Sequence, residues 1–300
     1  MNRSRLAGLL TCHNRCTKTL ASLSALFAQE HQSEIAIDVY LVDDGSTDGT
    51  AETVKQSYPQ VKILQGNGNL FWNGGMRQAF AEALQSDYDY YLWVNDDTVL
   101  YPDALGKLLA TYQSLKQQGE HRAIISGSTC DPNTGALTYG GVVRRSRWRP
   151  LKFDLVEPSE RVQRCDTING NCVLIPREVA QVVGNLDSAF SHYIGDWDYG
   201  LRARQEGCTV WVAPGYVGTC SSNDQPGKEA NRSVSPSKQL QQMSQPKGLS
   251  VQKEILYSLG EWKVFAQRHG GLLWPIYWLI PYRRLLWSSL MGSFHKISSR

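Results

Sequence analysis

A mostly parallel β-sheet with helices on both faces is the architecture this sequence predicts, and three observations predict it. Apolar, β-branched or aromatic runs of strand length alternate with stretches of helical periodicity from residue 6 to residue 127. The connections between them are short and carry Gly, Pro, Asn, Asp or Ser. Acidic clusters close two of the runs, Val42-Asp43-Asp44-Gly45-Ser46 and Val94-Asn95-Asp96-Asp97-Thr98, at strand ends of the kind where open α/β sheets bind ligands.

The elements follow in order. Leu6-Ala7-Gly8-Leu9-Leu10-Thr11 predicts a buried first strand. Leu20, Leu23, Ala25, Leu26 and Phe27 recur at helical spacing, which predicts a helix over 17–29. Residues 35–42 are a second strand. Ser46-Thr47-Asp48 cap a helix that runs to Ser57, before Pro59. Residues 61–64 are a third strand, followed by a Gly- and Asn-rich loop over 65–69. Asn73-Gly74-Gly75 opens a helix through Leu84. Residues 88–94 are a strand, Pro102 starts a helix to Gln118, and 123–127 are a strand. The stretch 130–165 shows no clear period. Residues 171–175 read as a strand and 176–183 as a helix. A helix over 196–206 ends at Gly207, and 208–213 are the last strand.

The chain divides into a catalytic domain over 1–222, a polar linker or mobile loop over 223–250 and a helical, aromatic-rich tail over 251–300. Its 300 residues, 41% of them hydrophobic, suit one large domain with an appendage. A net charge of +3 gives no ground for a nucleic-acid partner. The seven cysteines form no CxxC pair and their number is odd, so they read as reduced, mostly buried thiols of a cytosolic protein. The opening residues lack the apolar length and cleavage site of a signal peptide. The histidines show no HxxxH spacing, which argues against zinc.

In the tail, 271–282 is strongly apolar and flanked by Arg268, His269, Arg283 and Arg284. It is too short for the ~20 residues that span a bilayer. Trp274, Tyr277, Trp278, Tyr282 and Trp287 suit a membrane interface, so the tail reads as a surface anchor. The alternative is packing on the catalytic domain or on a second copy in a homodimer.

Converging carboxylates repel unless a cation or a proton joins them. Asn95-Asp96-Asp97 therefore points to a divalent cation that handles a phosphorylated substrate, Mg²⁺ or Mn²⁺ by its oxygen ligands. Asp43 and Asp44 exceed what helix capping needs and suit the imide N–H of a uracil or thymine base. The segment Gly68-Asn69-Leu70-Phe71-Trp72-Asn73-Gly74-Gly75 leads into a helix start, which attracts phosphate. Asp196 is either an N-cap or a general base. Asp198 stands four residues before Arg202 and is its natural ion-pair partner. The basic run over 144–149 reads as a solvated loop or as a contact for an anionic acceptor.

Taken together, Leu10-Thr11-Cys12-His13-Asn14-Arg15, the 42–50 and 66–69 segments, Leu92-Trp93-Val94-Asn95-Asp96-Asp97-Thr98 with Pro102-Asp103-Ala104-Leu105, and 196–204 resemble glycosyltransferase family 2, the inverting GT-A transferases. The 68–76 loop and Trp211-Val212-Ala213-Pro214-Gly215-Tyr216 most resemble bacterial rhamnosyltransferase-like members that build surface polysaccharide. The resemblance implies a GT-A fold and a nucleotide-diphospho-sugar donor, dTDP-rhamnose or a UDP-sugar, held by Thr11, Asp44 and the 95–97 run. The same reading extends the donor contacts to Asn14, Arg15, Asp43, Asn67, Asn69, Gly74 and Gly75. It makes Asp97 the main ligand of Mn²⁺ or Mg²⁺ and Asp196 the catalytic base. Trp197, Asp198, Asn169 and Gly170 would face the acceptor, a saccharide or lipid-linked saccharide. The enzyme would sit in the cytoplasm on the inner face of the cell membrane. Two residues depart from the family pattern. Asn95 stands where the first Asp of the DXD motif is usual, and Cys220 stands where many members carry a metal-binding His. The rival readings are a sugar-phosphate nucleotidyltransferase and a non-catalytic nucleotide-sugar-binding scaffold at the membrane.

Overall fold

Residues 3–30, 35–146, 148–191, 194–221 and 251–279 are described by the structure, a computed structural model. The linker expected at 223–250 and the end of the tail, 280–300, lie outside them. Two compact units divide the chain: 1–144 with 153–222, and 145–152 with 223–300.

The first unit is built on a strand–helix alternation. β1 (Ser4–Cys12), α1 (Cys16–Phe27), β2 (Ile35–Asp43), α2 (Thr50–Ser57), β3 (Lys62–Gln65), α3 (Phe71–Ala83) and β4 (Tyr90–Val94) follow one another. β4, β1, β2 and β3 lie side by side and all run parallel. Side chains alternate across this sheet with period two. Leu6, Leu10, Leu92 and Val94 enter one core with Leu23 and Leu26 of α1. Ala7, Leu9, Tyr91 and Trp93 enter the other core with Met76 and Phe80 of α3. Both faces are covered, which is why the strands read as continuous apolar runs rather than alternating ones. Trp93 is fully buried against Phe80 and Tyr199, and its truncation to alanine would cost about 3–5 kcal/mol.

β5 (Val99–Leu100) and α4 (Ala104–Gln117) lead to β6 (Ala123–Cys130). The stretch 131–165, expected to be irregular, holds β7 (Leu137–Tyr139), β8 (Gly141–Ser146), β9 (Arg149–Leu155) and β10 (Gln163–Arg164). β8 pairs with β9 and with β11 (Thr167–Ile168) in a separate three-stranded sheet. These strands are short and half exposed, so they carry little periodic signal. The basic run expected to be a solvated loop lies largely on β8 and β9 instead.

β12 (Cys172–Pro176), α5 (Arg177–Val183), α6 (Gly195–Gln205) and β13 (Thr209–Thr219) complete the unit. The large sheet runs β10-β13-β6-β12-β4-β1-β2-β3, with β5 on β13 and β7 on β6. β12 is antiparallel to both β4 and β6, so the sheet is mixed rather than wholly parallel. Hydrophobicity marks a buried strand but not its direction. The antiparallel register pairs Cys172 with Val94. The chain entering β12 therefore reaches the tip of β4, where Asn95 donates its N–H to the Asn171 carbonyl at 3.1 Å.

Three helix starts differ most from expectation, α4 beginning at Ala104 rather than at Pro102. α3 begins at Phe71 rather than at Asn73. α2 begins at Thr50, because Gly49 takes a left-handed φ of 79° and Asp48 accepts the Thr50 N–H at 3.1 Å.

In the second unit, α7 (Val251–His269) is followed by a 3-10 turn (Gly271–Leu273) and α8 (Trp274–Leu279). Leu272, Leu273, Ile276 and Leu279 are exposed there. Among the described residues, no helix is long and apolar enough to cross a membrane.

Candidate active site

The tips of β1, β2 and β4 share one edge of the sheet, with Cys12 in register with Asp43 and Leu9 with Trp93. The end of β13 joins them, since the Cys220 thiol donates to Asp97 Oδ1 at 3.4 Å. The start of α6 joins through the 169–171 segment. Clusters far apart in sequence thus meet at one place.

Asp44 organises the loop beside it. Its Oδ1 accepts the Gly68 N–H at 2.8 Å, and its Oδ2 accepts the N–H groups of Leu70 at 2.9 Å and Phe71 at 3.0 Å. Any side chain at 66 would collide with Asp44 and Leu70, which requires Gly66. Asp43 Oδ1 accepts the Ser46 N–H at 3.1 Å. Asn14, at a φ of 52°, donates its N–H to Ser46 Oγ and accepts the Thr47 N–H at 2.7 Å. Asn67 Oδ1 accepts the Asn69 N–H at 3.0 Å. These side chains shape the walls of the cleft through their own turns.

Gly74 and Gly75 lie inside α3 and are buried. The Gly74 N–H donates to the Leu70 carbonyl and the Asn73 N–H to the Ser191 carbonyl. A side chain at 75 would strike Thr11, so that glycine lets α3 close onto the tip of β1. The N–H groups of Leu70, Phe71, Asn73 and Gly74 all have protein partners.

The acidic run after β4 is met by two cations. Arg15 Nη1 lies 3.1 Å from Asp96 Oδ1 and 3.0 Å from Asp97 Oδ2, and Lys18 Nζ lies 3.6 Å from Asp97 Oδ2. Burial pushes the Asp96 carboxyl up to about 7, with Arg15 pulling the other way. Burial and the neighbouring Asp97 push the Cys220 thiol up to about 12, so Cys220 is a protonated hydrogen-bond donor to Asp97. Among the described residues, no group of three or more His, Cys, Asp or Glu is arranged to hold a metal. A hard divalent cation takes oxygen ligands, and Asp96 and Asp97 are the carboxylates at this strand tip that could offer them. This pair does not amount to an all-protein cage.

Asp196 lies in the first turn of α6, whose N-cap position is Ile194. Asp196 Oδ1 accepts the Trp197 N–H at 2.8 Å and Oδ2 accepts the Gly170 N–H at 2.9 Å. Burial raises its carboxyl to about 6, against the lowering effect of these N–H groups and of the Asn169 side chain. Asp198 is fully buried and accepts from Arg202 Nε at 2.8 Å, the i,i+4 pair that its spacing predicts. Trp197 packs on Phe153 with ring centroids 4.8 Å apart. Asn169 donates its N–H to the Gly140 carbonyl.

Trp72, which the sequence reading named only as part of the 68–75 segment and gave no role, links these groups. Its indole N–H donates to Asn95, and a side chain at 170 would run into its six-membered ring. The signal was present in the sequence: a tryptophan at the end of a Gly- and Asn-rich loop.

The chain matches the Glycosyl transferase family 2 model over residues 9–157. It is 26% identical over 209 residues to N-acetylglucosaminyl-diphospho-decaprenol L-rhamnosyltransferase of Mycobacterium tuberculosis, an alignment covering 63% of this chain and 66% of the relative, which is just short of two thirds of its length. Among solved structures, GalNAc-T7 with UDP, GalNAc and Mn²⁺ superposes with a TM-score of 0.54 at 14% identity, covering 71% of this chain and 43% of that one. TarS 1–349 of S. aureus with UDP-GlcNAc superposes with a TM-score of 0.51 at 14% identity, covering 80% and 64%. At such identities these superpositions speak for the fold.

Proposed function

We propose that this chain, which belongs to glycosyltransferase family 2, moves a sugar with inversion from a nucleotide-diphosphate donor to a hydroxyl of a lipid-linked saccharide. The observation that carries the reading is the placement of Asp196, a carboxylate with an elevated pKa, at the same sheet edge as the Asp96–Asp97 pair. Asp196 accepts the proton of the acceptor hydroxyl. The oxygen attacks the anomeric carbon from the side opposite the diphosphate, and the bond from that carbon to the diphosphate oxygen breaks. Gly170 and Trp197 hold both Asp196 oxygens through backbone N–H bonds, which fixes the direction of the base. Mg²⁺ or Mn²⁺ on Asp97, when bound, supplies charge stabilisation to the leaving diphosphate. Arg15 and Lys18 add positive charge beside it. Trp197, with Asn169 and Gly170, lines the acceptor side.

The mycobacterial relative, a rhamnosyltransferase whose name specifies a diphospho-decaprenol acceptor, supports dTDP-rhamnose as the first donor to try and a polyprenyl-linked acceptor. Such an acceptor lies in a membrane. The exposed Leu272, Leu273, Ile276 and Leu279 of the second unit fit peripheral contact with that surface.

The test is a panel of dTDP-, UDP- and GDP-sugars with polyprenyl-diphosphate-linked N-acetylglucosamine, with Mn²⁺ or with EDTA. Acceptor-dependent release of one nucleoside diphosphate, lost in EDTA, is the expected result. Absence of sugar transfer from every donor, with nucleotide binding intact, would leave a nucleotide-sugar-binding protein instead.

A further inference from the structure

We propose that Arg15 and Lys18 are built-in counter-ions that keep the Asp96–Asp97 pair closed to a divalent cation until the donor's diphosphate arrives. The inference rests on the metal-assisted reading above and adds an order of binding to it.

The cluster holds its own counter-charges without a metal: two carboxyl groups face one guanidinium and one ammonium. Asp97 has both oxygens engaged, Oδ1 by the Cys220 thiol and Oδ2 by Arg15 and Lys18. Asp96 Oδ1 is engaged by the same Arg15 nitrogen. A divalent cation arriving alone would have to displace these partners while two positive charges stood within 4 Å of its ligand oxygens. A diphosphate changes the balance, because it offers the guanidinium another set of anionic oxygens with matching fork geometry.

Exposure decides which partner moves. The Arg15 and Lys18 side chains are 41% and 55% exposed, whereas both aspartate side chains are 8% exposed. The carboxylates are set by the sheet edge, and the cations are free to swing. Arg15 and Lys18 are three residues apart at the start of α1, so they project from one face and can leave together. Their transfer onto the diphosphate would free Asp97 for the cation in the same event. Cation and donor then bind as one unit, and a cation alone binds weakly.

The test titrates Mn²⁺ into the full chain and follows the free-ion paramagnetic resonance signal, with and without UDP or dTDP, each nucleotide titration being read against the same Mn²⁺ and nucleotide without protein, because a diphosphate chelates Mn²⁺ by itself. Wild type is expected to hold Mn²⁺ weakly alone and roughly tenfold more tightly with a nucleotide. Arg15→Gln is expected to hold Mn²⁺ alone roughly tenfold more tightly than wild type. Lys18→Gln should shift the same way by less, and Arg15→Lys should stay close to wild type. Unchanged or weaker Mn²⁺ binding in both glutamine variants, with native circular dichroism, would overturn the proposal. Tighter Mn²⁺ binding by Arg15→Gln, with none by wild type even beside a nucleotide shown to bind, would overturn the order of binding and with it the metal-assisted reading.

Discussion

The indole N–H of Trp72 donates to the side-chain oxygen of Asn95 at 2.6 Å. An indole nitrogen can only donate, so the amide oxygen faces the ring and the amide NH₂ turns away from it. The same ring lies against Gly170, whose N–H holds Asp196 at 2.9 Å. One side chain therefore meets both the amide beside the acidic pair and the glycine that holds Asp196.

Trp72→Phe keeps an aromatic side chain, deletes the indole N–H and withdraws the ring atoms that meet Gly170. A bond of this kind is worth about 1 kcal/mol, so the donor KM should rise about fivefold with a smaller change in kcat. Steady-state kinetics with varied donor would show it, and an unchanged donor KM would remove Trp72 from the site.

Asp196 must be ionised to accept a proton. Its carboxyl is raised to about 6, so kcat/KM should climb with pH and level off above that value. An ordinary Asp would place this limb near pH ~4. Asp196→Asn should lower kcat by about 10²-fold or more while nucleotide binding stays intact. A variant that turns over normally would refute the base assignment.

Asp44 satisfies three backbone N–H groups. Asp44→Ala leaves them without that partner and should cost about 2–3 kcal/mol of stability, read as a lower Tm. If nucleotide binding fell while Tm held, Asp44 would be a ligand contact first.

Leu272→Asp with Ile276→Asp places charge on the exposed apolar residues of the tail. Co-sedimentation with vesicles containing anionic lipid should be lost, and donor binding should not change. Equal sedimentation of the double variant and wild type would reassign that surface.

The parallel half of the sheet was legible because its strands are buried on both faces, and long apolar runs ending in Asp and Gly leave little choice. The direction of β12 was not legible, since Val173, Leu174 and Ile175 would be as buried in either sense. Asp196, Asp97 and Asp44 stood out as acids at element ends. Their tasks depend on partners that only folding supplies: Arg15 meets Asp97 across 82 positions, and Gly170 meets Asp196 across 26. Asp198 with Arg202 was readable at once because helix geometry alone brings the fourth residue alongside.

The reversed strand has a topological consequence. Because β12 enters the sheet at the β4 tip, residues 169–171 arrive at the same end of the sheet as the turns that follow β1 and β2. The tip of β4 is therefore held from two sides, by the parallel neighbour β1 and by the antiparallel β12. The position of Asn95 depends on both pairings, so a change in the chain that leads into β12 reaches the acidic run without touching β1 or β2.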